Sequence, residues 1–137
     1  MAPFKEINIP QKPPMVMVGH LIETGGQTTV TSMVIRGDNI FCYNGEFREP
    51  GLIENMAQTA AAGVGAEAAA SGKDAPVGFI GGIKNLRITG FPKTGQEITT
   101  RVTVLHQVFD ATILQGEVFL EGKLIAACEL KIFILQN

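Results

Sequence analysis

The stretch Pro50-Gly51-Leu52-Ile53-Glu54-Asn55-Met56-Ala57-Gln58-Thr59-Ala60-Ala61-Ala62 constrains the fold of this chain more than any other part of it. Proline and glycine open the segment, and leucine, methionine and alanine carry it on as a helix beginning near Gly51. Placed on a 3.6-residue period it shows no polar stripe. Leu52, Ile53, Met56, Ala57, Ala60, Ala61 and Val64 cover most of the circumference, with Glu54 and Gln58 as the polar exceptions. A helix of that kind has little face to give to water, so the rest of the chain must enclose it on most sides.

The remainder supplies strands. Residues 15–22 and 28–35 are apolar or β-branched runs separated by Thr24-Gly25-Gly26, the pattern of two strands in a hairpin. Arg36-Gly37-Asp38-Asn39 marks a turn. Beyond a loop at 71–76, runs at 77–88, 97–109, 112–120 and 124–135 are joined by short turns containing Gly or Asp and read as an antiparallel meander. In the second of these runs Ile98, Val102, Val104, His106 and Val108 share one face against Glu97, Thr99, Arg101 and Thr103. In the last, Leu124, Ala126, Cys128, Leu130 and Ile132 face inward against Glu129 and Lys131. An antiparallel sheet with one polar face and one apolar helix has an economical solution, a curved sheet wrapped around a long central helix in an α+β domain. At 137 residues and 45% hydrophobic content, the whole of 1–137 is expected to form a single such domain.

Charge and cysteine usage exclude several function classes. Eleven Lys and Arg against 13 Asp and Glu leave a net charge of −2, which gives no electrostatic grip on nucleic acid or on anionic lipid. Cys42 and Cys128 are too few for a disulfide framework, and His20 and His106 stand apart without metal-ligand spacing, so neither a metal nor another cofactor is expected. No apolar run reaches the length of a membrane span, and the proline-rich start lacks the core of a signal peptide, so a reducing cytoplasm is the expected location.

The words along the chain add a resemblance. Ile9-Pro10-Gln11-Lys12-Pro13-Pro14-Met15-Val16-Met17-Val18 is similar to the "LPHRYPFLLVD" opening of the beta-hydroxyacyl-(acyl carrier protein) dehydratases, and Leu52-Ile53-Glu54-Asn55-Met56-Ala57-Gln58 to their helix motif "LILEAMAQ". Gly81-Gly82-Ile83-Lys84-Asn85-Leu86-Arg87 with Gly95-Gln96-Glu97-Ile98 resembles "AGIDKARF…PGDQL", and Gly122-Lys123-Leu124-Ile125-Ala126-Ala127-Cys128-Glu129-Leu130 resembles "DGKLVAEAEL". The resemblance spans nearly the whole chain and implies the hot-dog fold, in which two units lie side by side and build their sites jointly. One departure stands out. Those dehydratases carry a catalytic His in a "GHFPGxPxxPG" loop and a Glu on the helix. Here the shorter Asn44-Gly45-Glu46-Phe47-Arg48-Glu49-Pro50-Gly51 puts Glu46 where the His would be, while the helix Glu is kept as Glu54.

Glu54 on an otherwise apolar helix is a general acid or base by the resemblance, and by its chemistry alone either that or a carboxylate paired across an interface. Gly51 could offer its N–H, reinforced by the helix dipole, to a thioester carbonyl, or be a plain turn glycine. His20, where the relatives usually carry Arg or Lys, is the candidate replacement base; a structural role is the alternative. His106 reads as a hydrogen-bonded core histidine, Glu46 as solvated, and the two cysteines as small hydrophobes. Gln58 supports Glu54 or binds substrate. Gly81 and Gly82 signal close approach of a second backbone or of a ligand such as a pantetheine arm.

These readings imply a lyase that dehydrates 3-hydroxyacyl thioesters of acyl carrier protein or coenzyme A in fatty-acid-type biosynthesis. An acyl thioesterase and a non-catalytic subunit paired with an active homologue are the alternatives. In each case a homodimer or heterodimer with a related hot-dog subunit is expected, since the apolar helix and a meander edge leave more hydrophobic surface than one small domain conceals.

Overall fold

A computed structural model describes residues 7–135. Along these residues the order is β1 (His20–Gly25), β2 (Thr28–Val34), β3 (Cys42–Tyr43), β4 (Glu46–Phe47), α1 (Glu49–Ala70), β5 (Gly78–Ile88), β6 (Glu97–Val108), β7 (Ala111–Leu120) and β8 (Lys123–Ile134). β1, β2 and β5 to β8 form one antiparallel sheet in the order β1-β2-β6-β7-β8-β5, curved around α1. The strand that directly follows the helix therefore becomes an edge, paired only with β8. That edge carries Phe79, Ile83 and Leu86, exposed at 51%, 42% and 39%.

Alternation decides which side meets the helix. Ile98, Thr100 and Val102 of β6, Leu114 and Val118 of β7, and Ala126, Cys128 and Leu130 of β8 are buried, and they close on Leu52 and Met56 of α1. Each large side chain so enclosed contributes about 1.5–3 kcal/mol. Gly51 must be a glycine here, because a Cβ would collide with the Phe47 ring and with Phe41.

The structure departs from the sequence pattern in four places. The strand expected at 15–22 starts only at His20. Upstream, Met17 N and Met15 O bond to the Gln58 side chain and Met17 O receives Asn55 Nδ2, so these groups are satisfied by the helix, and the segment reaches the sheet only at Gly19 N, which donates to Ser32 O. A small β3–β4 hairpin, unforeseen, turns on Asn44-Gly45, both at positive φ (51° and 77°). His106 is no core histidine. The β6–β7 register slips between Val104 and His106, and the imidazole emerges exposed. A second slip between Val118 and Phe119 leaves Leu124 44% exposed while Ile125 is buried.

Candidate active site

The two flanks of α1 differ in what covers them. One flank faces the sheet and the segment before β1, and its polar residues Asn55, Gln58 and Thr59 are buried and bonded. Thr59 Oγ1 donates to Asn55 O at 2.8 Å and meets Thr31 Oγ1 at 2.7 Å, while Asn55 joins Thr100 to Met17 O. The other flank, with Glu54, Ala57, Ala60, Ala61 and Val64, is half-buried and lines an open cavity of about 1050 Å³. Val102, Val104, Leu114, Ile132 and Ile134 form its sheet side. The volume and the mixed apolar and polar lining suit a small-molecule ligand with an extended apolar part.

Glu54 sits in this lining. Gln58, one turn on, donates from Nε2 to Glu54 Oε2 at 3.0 Å and to Met15 O at 2.8 Å, while its Oε1 accepts from Met17 N at 2.6 Å. The Gln58 amide thus holds the carboxylate in one orientation, and its own hydrogen-bonding groups are spent on protein partners. Gly51 is buried at the helix start, and its N–H bonds to Arg48 O at 3.0 Å. Polarising a thioester carbonyl would require that bond to open.

The other candidates are dispersed. His20 is exposed at the start of edge strand β1, opposite Ser32, and is not among the residues lining the cavity. His106 is among them, on the β6 end. Glu46 pairs with Arg48 at 3.0 Å; Arg48 also reaches Glu49 at 3.2 Å and lies 3.8 Å over the Phe91 ring. The loop position that replaces the dehydratase His therefore holds a carboxylate ion-paired with a guanidinium that it shares with Glu49. Gly81 and Gly82 lie at a bulge of β5 against β8, outside the cavity lining. The group that approaches Gly81 closely is the Phe133 ring.

Neither cysteine is poised as a nucleophile. Burial, with Glu129 adding to it, pushes the Cys128 thiol up to about 11, and burial also raises Cys42. Among the described residues no group of three His, Cys, Asp or Glu is arranged to hold a metal ion. No helix among them is long and apolar enough to cross a membrane. The Asn55–Thr100 and Thr59–Thr31 connections escaped sequence reading; polar residues on the apolar helix at 55 and 59 were the available signal.

Comparison with known proteins gives this geometry a lineage. Nothing among curated proteins matches the chain. A chain of the dehydratase heterocomplex ApeI:P from Xenorhabdus doucetiae superposes with a TM-score of 0.84 at 17% identity, covering 94% of this chain and 89% of that one. The uncharacterised protein PH1136 from Pyrococcus horikoshii gives 0.72 at 12% identity over 99% and 97%. A hypothetical thioesterase from Streptococcus pneumoniae TIGR4, solved with coenzyme A, gives 0.67 at 11% identity over 85% of each chain. At these identities the structures establish the hot-dog fold, shared by dehydratases and thioesterases. Residues 5–137 match the family described as ApeP-like, ApeP dehydratase, and on that near-complete match this chain belongs to the ApeP-like dehydratase family.

Proposed function

We propose that this chain is one subunit of a two-subunit hot-dog dehydratase acting on 3-hydroxyacyl thioesters, contributing Glu54 as the acid while a second subunit contributes the base. The observation that carries the reading is Glu54, a half-buried carboxylate oriented by Gln58 in an open cavity, with Glu46 engaged by Arg48 and His20 outside the lining.

Dehydration removes the proton α to the thioester carbonyl and expels the β-hydroxyl. Glu54, as the acid, passes a proton to the departing oxygen as the C–O bond breaks and water leaves, while the electron pair of the α C–H bond becomes the new C=C bond. A base takes the α-proton, and a neutral imidazole suits that step near neutral pH. Pairing would also cover the apolar edge at Phe79, Ile83 and Leu86, which otherwise stays open to unwanted strand addition. The likeness to a chain of the ApeI:P heterocomplex supports a non-identical partner. The S. pneumoniae thioesterase solved with coenzyme A supports thioester chemistry for the cavity. Acyl carrier protein and coenzyme A are the two candidate carriers.

Hydrolysis is the second reading, because a helix carboxylate can activate water or attack a thioester without an imidazole. One mass-spectrometric assay separates the two. The chain is given 3-hydroxyacyl and saturated acyl thioesters, alone and mixed with a histidine-bearing dehydratase subunit of the same fold. Water loss that needs the mixture and falls about 100-fold with Glu54→Gln is expected. Hydrolysis of both substrates by the chain alone would put the thioesterase reading first.

A further inference from the structure

A second cavity, of about 1100 Å³, adjoins the one that Glu54 lines. The two share Val64, Glu67, Pro76, Gln107, Thr112 and Ile134, so they form one continuous space with these residues at the junction. Glu54 lies at the end of this space nearest the start of α1, and the second cavity carries it on past the last turn of the helix to Ser71. At the rise of an α-helix, Val64 is roughly 15 Å along from Glu54. Beyond the junction the wall holds Val77 and Leu135, 51% and 54% exposed, and Phe109, which is wholly exposed. Phe109 is out of place in its backbone as well. It opens the two-residue turn between β6 and β7, where Val108 pairs with Ala111, at a φ of 59°. Glycine or asparagine is the ordinary occupant of such a position, and a bulky side chain there is strained. An aromatic ring kept in water on a strained turn, at the rim of a cavity, points to a contact made when the cavity is filled.

We propose that Phe109 is a specificity-determining residue for chain length, its ring closing on the far end of an acyl chain that starts at Glu54 and passes Val64 and Thr112 into the second cavity. The proposal rests on the thioester reading given above. Either end of a thioester can point this way, and charge decides between them. The carrier's thiol arm ends in a phosphate. The second cavity is rimmed by exposed Glu67, Asp74 and Asp110 against Lys73 alone, a balance that repels an anion. A hydrocarbon tail is indifferent to that rim and gains by covering Val77, Leu135 and Phe109. At roughly 1.3 Å of advance per carbon, set by C–C bonds of about 1.5 Å, an octyl tail stops short of the junction and a hexadecyl tail passes it.

Two unreactive probes, the octyl and hexadecyl thioethers of N-acetylcysteamine, test this by calorimetric titration of the full chain in its native oligomer, below the concentrations at which the probes self-associate. The quantity read is the ratio of the two affinities. The native protein is expected to prefer the hexadecyl probe, and Phe109→Gly to cut that preference about ten-fold, the weight of roughly two methylenes losing their cover. Its thermal stability should hold or rise, since glycine relieves the turn at φ 59°. Val64→Phe, which narrows the junction, should cut the preference likewise. A preference untouched by either variant would overturn the proposal. So would equal affinity of the native protein for both probes, or no binding of either. A smaller oligomer for Phe109→Gly in light scattering, with the preference kept, would overturn it by assigning the ring to a subunit contact. If the preference behaves as expected while no thioester is dehydrated, the assignment of Phe109 stands and the dehydratase reading falls.

Discussion

Beside Leu52 and Met56 the closed flank of α1 buries polar side chains, whereas the open flank carries mostly small apolar ones. The flank pressed against the sheet and the segment before β1 buries Asn55, Gln58 and Thr59, each bonded, whereas the flank left half-open carries alanines, Val64 and Glu54. Burying amides and a hydroxyl demands specific partners and fixes one position of the helix on the sheet. Keeping small apolar residues at an open surface reserves that surface for something that arrives later. The closed flank is therefore where stability is sensitive, and the open flank is where function is sensitive with the fold indifferent.

The largest expected effect tests the closed flank. Asn55→Leu removes the donor to Met17 O and the acceptor for Thr100 Oγ1, leaving both partners buried and unpaired. Urea unfolding should show a loss of about 3 kcal/mol. A loss near that of an ordinary surface change would mean that the network is relieved by rearrangement. The open-flank control is Glu54→Gln, which should change stability by no more than about 0.5 kcal/mol while turnover collapses.

Gln58 belongs to both flanks and should fail on both counts. Gln58→Leu strips the partner from Met17 N and the orienting donor from Glu54. A loss of about 2 kcal/mol in unfolding is expected. Turnover should fall about ten-fold in kcat with KM little changed, because a misoriented acid weakens the transition state more than the bound substrate. A rise in KM alone would assign Gln58 to substrate binding.

Much of this was legible in the sequence. The helix announced itself by its unbroken apolar circumference, and strands β5 to β8 by alternation between Gly and Asp turns, but the meander expected of all four holds only for β6 to β8, since β5 pairs with β8 and not with β6. The β3–β4 hairpin could have been read from Asn44-Gly45, the residue pair that the positive φ values at both turn positions demand. Glu54 was visible as a carboxylate among alanines. What was hidden depended on partners distant in the chain. Residues 15–19 have strand-like composition, yet the backbone of Met15 and Met17 is bonded by Asn55 and Gln58, about forty positions away. Strict alternation puts His106 on the inner face, and a one-residue register slip after Val104 undoes alternation.

A smaller effect distinguishes burial from reactivity at Cys128. Its thiol, 1% exposed, is held up to about 11, above the value of about 8.5 for a free thiol. Below that lower value both states keep the proton and the contribution to stability is fully present. Between the two values the unfolded chain binds fewer protons than the folded one, so stability falls as pH rises. Thermal unfolding from neutral pH to roughly pH 10 should show a steeper alkaline decline in the native protein than in Cys128→Ala. Parallel declines would place the alkaline instability elsewhere.

The smallest effect is expected at the residue that sequence reasoning made the replacement base. A general base must come within about 3 Å of the proton it removes, directly or through one water. His20 stands at the exposed start of an edge strand, opposite Ser32, and does not share the cavity that Glu54 lines. His106 does share that cavity, but on the β6 strand end. With the base supplied by a second subunit, His20→Ala should leave turnover of the assembled complex within about two-fold of the native value, against about 100-fold for loss of a true general base. His106→Ala serves as the comparison from inside the cavity. A hundred-fold loss at His20 would return the base to this chain and remove the reason for requiring a partner imidazole; the same loss at His106 would move the reacting carbons from the start of the helix toward the β6–β7 end of the cavity.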